Sequence, residues 1–192
     1  MDLDDEKSFA KINFNRLAKN IPPQLAGRED GFEKLIENSK SNPQKKLQTL
    51  YGFMGEVSDF VAKYTPCKKG CSYCCYYPVS ISGVEIDYIE KQTRIKRRKE
   101  YLPKSDFHGS PCPFLKNGCC SIYEFRPFVC RKHVTLTRDN TWCKPENAND
   151  ETFTLLSFSG VEGAFRRIRH ESASSEMFDI RQVFGIGDDQ HR

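Results

Sequence analysis

The cysteines of this chain fall in two tight clusters whose spacing suits metal ligation. The first cluster lies in CKKGCSYCC and the second in CPFLKNGCCSIYEFRPFVC. Thiolates at such spacing converge once the chain folds, and they select zinc or iron–sulfur centres over magnesium or calcium, which prefer oxygen ligands. We therefore predict a metal site. Its candidate ligands are Cys67, Cys71, Cys74, Cys75, Cys112, Cys120 and Cys130.

The spacing leaves the identity of the metal open between iron and zinc. Structural zinc sites usually combine two C-x2-C turns, and only Cys71 and Cys74 form one here. The remaining spacings fit an iron–sulfur site at least as well, since the Cys112-Pro113 pair also has a counterpart in ferredoxin motifs. We predict an iron–sulfur cluster of the [4Fe-4S] type, which needs about four thiolates, and keep zinc as the alternative.

Adjacent cysteines raise the question of a second site. Side chains of neighbouring residues diverge on extended backbone, so Cys74 and Cys75 are not both expected to reach one small centre. One of them could support a second site instead. The same reasoning applies to Cys119 and Cys120, of which only Cys120 is a candidate ligand.

Two further residues are ambiguous. Cys143 follows Trp142 outside both clusters and is as readily an ordinary buried thiol as a functional one. His133 lies three residues after Cys130, where it could be a ligand or a partner of one. A lone histidine is more often a satisfied polar side chain, and we do not count it as a ligand.

Composition and the N-terminal residues favour a cytoplasmic protein. The segment MDLDDEKSFAKINF lacks the basic flank and apolar stretch of a secretory signal, and no run approaches the ~18 apolar residues of a membrane span. In a reducing cytosol, the nine cysteines are better explained as metal ligands or redox thiols than as disulfides. We expect no membrane association.

The surrounding elements are predicted to be mainly α-helical. Apolar residues recur at helical spacing in residues 7–20 and 29–39, and Asn42-Pro43 opens a third helix whose apolar stripe runs from Leu47 to Tyr64. Gly70 is predicted to turn the chain within the first cluster. Further helices are predicted at 83–102, after a capping box, and at 161–170 and 175–184.

These patterns predict one fold, in which a small irregular cysteine-rich metal-binding module packs against helices and contains little β structure. At 192 residues the chain suits a single domain with extensions, given roughly 100–200 residues per domain. Residues 1–65 form a helical N-terminal extension that packs on the core, and residues 66–150 form the cysteine module. Residues 151–192 form a C-terminal helical segment that completes the same domain.

The motifs carry a family resemblance. The pattern C-x3-C-x2-C-C, followed by a helix with Glu85 and then by C-P-F-L, C-S-I-Y-E-x-R-P and C-R, resembles the YkgJ-type CxxCxxCC cysteine-cluster family. That family is described as a zinc- or iron-chelating domain, and flagellin lysine N-methylases look to share its cysteine module. The resemblance covers residues 66–133. It implies that the seven cysteines named above are ligands, with Arg126, Pro127 and Arg131 in the second motif.

Three functions remain open. The first is a metal-binding protein with a redox, scaffolding or accessory role, whose partner is another protein. The second, implied by the resemblance, is an S-adenosylmethionine-dependent protein lysine methylase or its accessory, which leaves open whether the chain is an enzyme. The third is a zinc-supported nucleic-acid-binding module that would use the basic run Lys91–Lys99, although such a run is more often a solvated helix end.

Overall fold

The computed structural model describes residues 2–147, 153, 156–172 and 175–187. It confirms a mainly α fold with little β structure. The α-helices are α1 (Leu3–Lys19), α2 (Pro23–Asp30), α3 (Phe32–Asn38), α4 (Pro43–Val61), α5 (Gly83–Thr93), α6 (Phe128–Lys132), α7 (Ser159–Glu171) and α8 (Ile180–Phe184). The strands are β1 (Ser80–Ser82), β2 (Leu115–Lys116), β3 (Cys119–Cys120) and β4 (Met177–Asp179). Of the helices in this part of the chain, none combines the length and apolar character that crossing a membrane requires.

The long helix α4 organises the larger of two hydrophobic cores. Its N-terminus is capped as predicted, because Asn42 Oδ1 accepts a hydrogen bond from Lys45 N at 2.9 Å. The predicted apolar stripe is buried, and it packs with residues of α1, α3 and α7. The N-terminal helix is tied to this core by Asn13, whose Nδ2 donates to the carbonyls of Tyr64 and Leu136.

Helix α5 lies between the two cores. Val84 and Tyr88 pack into the larger core, whereas Ile86 and Ile89 pack into a smaller one. The smaller core also contains Phe114, Leu115, Ile122, Ile180 and Val183. A single helix therefore couples the helical part of the molecule to the cysteine loops.

The prediction that this helix continues to residue 102 is wrong. It ends at Thr93, because Arg94 adopts a left-handed conformation with φ of 64° and turns the chain back. Arg97 then pairs with Glu90 and Asp87 on α5. The basic run is thus largely a loop held against the helix rather than its solvated end.

The C-terminal segment returns to the centre of the molecule. Strand β4 pairs antiparallel with β1, with Ile81 opposite Phe178. The helix predicted at 175–184 is therefore wrong in its first half, where strand pairing occurs, and α8 begins only at Ile180. Asp179 caps α8 and also accepts a hydrogen bond from Val79 N at 2.7 Å.

Arg181, on α8, joins the two loops that carry most of the cysteines. Its side chain is 0% exposed. Its Nη2 donates to the carbonyls of Cys75 at 2.8 Å and Ser110 at 2.5 Å, and its Nη1 donates to the carbonyl of Tyr77 at 3.1 Å. Asp179 lies 3.2 Å from the same guanidinium and balances its charge. The relative position of the loops thus depends on one buried cation.

Glu85 is a second buried charged residue that joins separate parts of the chain. Its Oε1 accepts hydrogen bonds from Tyr51 Oη at 3.0 Å and Phe128 N at 2.8 Å, and its Oε2 accepts from the backbone N and Oγ of Ser82, both at 2.8 Å. Burial raises the pKa of this carboxyl despite the four bonds. Glu85 therefore links α4, α5 and α6 in a setting where its ionisation is costly.

Replacing Arg181 by Met should destabilise the protein by about 3–5 kcal/mol, because buried carbonyls and Asp179 lose their partner. Chemical denaturation measures the free energy of unfolding. Arg166→Met is the matched control, since Arg166 is exposed on α7 and its loss should cost less than about 0.5 kcal/mol. Equal stability of the two variants would contradict the role assigned to Arg181.

Glu85→Gln should be less stable than the wild type at about pH 5 by about 1–3 kcal/mol, because the new amide NH2 faces the Ser82 N–H, another donor. The difference in the free energy of unfolding between wild type and variant should narrow as the pH rises. The folded-state pKa of Glu85 is raised, so its contribution to stability is present below the unfolded pKa and is lost as the pH rises through the folded pKa. Unfolding at several pH values tests this, and a difference that widens with pH would contradict it.

Candidate metal centre

The first cysteine cluster is held by a loop that begins just after α4. Cys67 N donates to Thr65 Oγ1 at 3.0 Å, and Cys71 N donates to the carbonyl of Lys68 at 2.9 Å. Gly70 has a φ of 96°, as predicted for the residue that turns the chain back. Cys74 and Cys75 follow in a 3-10 turn, Tyr73–Tyr76.

The second cluster is positioned by a hairpin that the sequence analysis did not anticipate. Strands β2 and β3 are joined by Asn117 and Gly118, both with positive φ, as in a two-residue hairpin turn. The register places Cys120 opposite buried Leu115, and Cys119 opposite Lys116. Cys119 is consequently exposed, whereas Cys120 faces inward. The hairpin thus separates the adjacent pair.

The two clusters are brought together by backbone contacts. Cys112 N donates to the carbonyl of Cys75 at 2.8 Å, and Gly109 N donates to the carbonyl of Tyr76 at 2.8 Å. Cys130 belongs to a third segment of the chain, helix α6, which begins just after Pro127. All nine cysteines are free thiols.

Cysteines line two adjoining cavities. The larger has a volume of about 260 Å³, and the smaller about 40 Å³. Cysteines of the larger cavity are Cys67, Cys71, Cys74, Cys130 and Cys143. Cysteines of the smaller cavity are Cys71, Cys74, Cys75, Cys112, Cys120 and Cys130. All seven predicted ligands therefore border at least one cavity, and Cys119 borders neither.

The adjacent thiols Cys74 and Cys75 hydrogen-bond to each other. The pair lies on a 3-10 turn rather than on extended backbone; both thiols border the smaller cavity, and Cys74 also borders the larger one. The bond from Cys75, with the nearby positive charge of Arg126, lowers the pKa of Cys74 to about 7. The bond to Cys74, together with burial, raises the pKa of Cys75. Cys74 is therefore the more acidic thiol of the pair.

Most other thiols of the site have a raised pKa, which disfavours the free thiolate. Burial raises the pKa of Cys112 to about 12 and that of Cys143 to about 12. Burial likewise raises the pKa of Cys67, Cys120 and Cys130. A bound cation would reverse this balance, because a coordinated thiol is deprotonated.

Arginine side chains supply positive charge to the site. Arg126 borders both cavities, with its guanidinium carbon 4.0 Å from the centre of the Tyr123 ring. Its buried Nε has no hydrogen-bond partner among the residues described. Arg131 borders the larger cavity and donates to the backbone carbonyls of Glu124 and Arg126. Both cations are suitably placed to offset the negative charge of thiolates.

Cys143 is the residue that sequence reasoning left undecided. It ends a 3-10 turn, Thr141–Cys143, and borders the larger cavity. Tyr77 Oη donates to its carbonyl at 2.8 Å, which fixes this turn against the first cluster. Its distance from both motifs hid this placement, and its only sequence signal was its residue type. His133 also borders the larger cavity.

The donor set fits a thiolate-bound metal, although the ligands are not yet gathered to bonding distance. Among the residues described, no three histidine, cysteine or carboxylate side chains stand close enough to hold an ion as they are. The donors lie mainly on loops and short turns that converge on shared cavities. Metal binding would draw them together, as in sites that form as the metal binds.

Comparison with curated proteins and with solved structures finds no match. A protein-family model does match, over residues 66–150. The matched range contains every cysteine of the chain, and so includes Cys143. The family that these residues match is the CxxCxxCC family, which is described as a "putative zinc- or iron-chelating domain".

Proposed function

We propose that this chain is an iron–sulfur protein that uses its CxxCxxCC domain to bind the metal, with zinc as the alternative metal. The proposed ligands are Cys67, Cys71, Cys74, Cys75, Cys112, Cys120 and Cys130. One observation carries the proposal: thiols from three separate segments border two adjoining cavities, while Cys119 points to solvent. Of the proposed ligands, Cys112 is buried and the other six are half-buried, and none of them forms a disulfide.

Iron–sulfur is preferred over zinc because of how the ligands are supplied. A structural zinc site usually takes its thiolates from two tight C-x2-C turns. Here the thiols come from a loop, a 3-10 turn, a hairpin strand and a short helix. Iron–sulfur clusters accept such scattered thiolates and depend on hydrogen bonds and nearby charge to set their potential.

Residues around the cavities would adjust the properties of the metal centre as well as hold the metal. When bound, an iron–sulfur cluster exchanges single electrons, whereas zinc only supports the fold. Arg126, at the border of both cavities, would offset the negative charge of the thiolates. Apolar side chains of α4, among them Met54, Val57 and Val61, line part of the larger cavity, and Val79, Phe114 and Ile122 line part of the smaller one. We propose a redox, scaffolding or accessory role in the cytoplasm, with another protein as partner.

The other two functions have weaker support. The relation to flagellin lysine N-methylases stays a prediction, because the family match concerns the cysteine domain alone. A nucleic-acid interface on Lys91–Lys99 is less attractive once Arg97 is paired with Asp87 and Glu90. Neither is part of the proposal.

Protein isolated without oxygen should be brown and should contain iron and acid-labile sulfide, because the thiols would hold an iron–sulfur cluster. Metal analysis and visible absorption measure this directly. Cys112→Ser and Cys120→Ser should each reduce the metal content, since both side chains face the smaller cavity.

Cys119→Ser is the matched control and should leave the metal content unchanged, because Cys119 is exposed. Colourless protein with stoichiometric zinc under the same handling would replace iron–sulfur by zinc. Protein isolated without any metal would contradict the proposal altogether.

Metal binding should release protons, because burial raises the pKa of the Cys112 thiol to about 12 and also raises that of Cys120, and ligation removes the proton. Affinity for added Zn²⁺ should therefore fall as the pH is lowered. Calorimetric titration of metal-free protein in buffers of different ionisation enthalpy counts the protons. A heat that does not depend on the buffer would contradict thiolate ligation, and Cys119→Ser should release as many protons as the wild type.

A further inference from the structure

We propose that the domain holds two metal centres rather than one, and that Cys143 is a ligand. The first centre would use Cys67, Cys71, Cys74 and Cys143. The second would use Cys75, Cys112, Cys120 and Cys130. This inference rests on the proposed function and extends it, since it assigns a ligand outside both sequence clusters and divides the first cluster between two sites.

Some thiols border only one of the two cavities, and they fall into two groups. Cys67 and Cys143 border only the larger cavity. Cys75, Cys112 and Cys120 border only the smaller one. Five residues border both cavities and so separate the two groups of thiols: Cys71, Cys74, Tyr123, Arg126 and Cys130. We refer to these shared side chains as the dividing wall, and a small centre in one cavity contacts only the thiols on its own side of that wall.

Several contacts join Cys143 to the first cluster. The thiols of Cys67 and Cys143 both hydrogen-bond to Thr135, one to its backbone and the other to its side chain. Asn140 Nδ2 donates to Cys71 Sγ at 3.4 Å from the start of the turn that ends in Cys143. These contacts place three thiols around the same end of the larger cavity.

The thiols that border both cavities can also be assigned. Cys71 is held by Asn140 beside Cys67, so it belongs to the first centre. Cys130 borders the smaller cavity together with Cys75, Cys112 and Cys120, so assigning it to the second centre gives about four thiolates there.

Cys74 is near thiols of both groups, including Cys67 and Cys143. Its neighbour Cys75 already faces the smaller cavity. Assigning Cys74 to the first centre gives about four thiolates at each, the number that a zinc ion or a [4Fe-4S] cluster requires.

Arg126 supplies a positive charge at the border of both cavities, where it would reduce the repulsion between two negative centres. Each thiolate centre is net negative, so two neighbouring centres repel each other. Arg126 borders both cavities, and its buried Nε has no partner among the residues described. A permanent cation between the centres reduces their repulsion, and its unpaired donor could turn to sulfur.

The decisive experiment counts metal in variants of each group. Cys143→Ser should lose the metal of the first centre and Cys112→Ser that of the second, so that each retains about half of the wild-type metal at about four thiolates per centre. The double variant should retain none, and Cys119→Ser should retain all. Metal-to-protein ratios are measured on protein isolated without oxygen.

A second measurement uses only the wild type, in case a variant does not fold. Metal-loaded protein is treated with iodoacetamide, and each cysteine is followed by peptide mass spectrometry. Cys119 should react at once, whereas Cys143 should be protected until a chelator removes the metal. Equal reaction of Cys143 before and after chelation would overturn its assignment as a ligand.

The outcomes separate this inference from the proposed function. Wild-type protein without metal overturns both. Metal that is wholly retained in Cys143→Ser, or wholly lost in either single variant that remains folded, leaves a single centre and overturns this inference alone. Half retention in both single variants supports two centres.

Discussion

The buried guanidinium of Arg181 holds together parts of the chain that have almost no regular structure of their own. It donates to the carbonyls of Cys75, Tyr77 and Ser110, and so fixes the first cysteine loop against the second. A buried charge is tolerated only where such bonds and a counter-ion surround it, here with Asp179 as the counter-ion. Strand pairing of β4 with β1 and the Asp179 cap place α8 where these bonds can form.

The remaining support for the cysteine loops comes from elements that belong to both cores. Helix α5 packs into each, and its Glu85 accepts hydrogen bonds that fix the start of α6, which carries Cys130. The helices therefore serve as a rigid frame, and the irregular segments between them present sulfur. Such a division suits a site whose ligands must move together when an ion arrives, since only the loops need to adjust.

Local signals in the sequence predicted local structure well. The Asn42 cap, the Ser82–Glu85 capping box, the turn at Gly70 and the apolar stripe of α4 depend on neighbouring residues, and all are present. The Asn117-Gly118 pair was also a local signal, typical of a hairpin, and would have revealed why Cys119 faces outward.

Contacts between residues far apart along the chain could not be predicted from the sequence. The strand at 177–179 and the placement of Cys143 depend on partners far away along the chain. The segment after the early end of α5 is likewise held by distant residues, since Arg98 N and Leu102 N donate to the carbonyls of Val183 and Gln182. The hydrogen bonds of Arg181 have the same origin, because they reach back between 71 and 106 positions, and they bear on how the protein is made. The segment between Cys75 and Arg181 spans 106 positions. At about 5–20 residues per second, a ribosome takes roughly 5–20 s to add it. Throughout that interval the first thiols have been synthesised while the residue that orders them does not yet exist, so the final geometry for ligation arises late in biosynthesis.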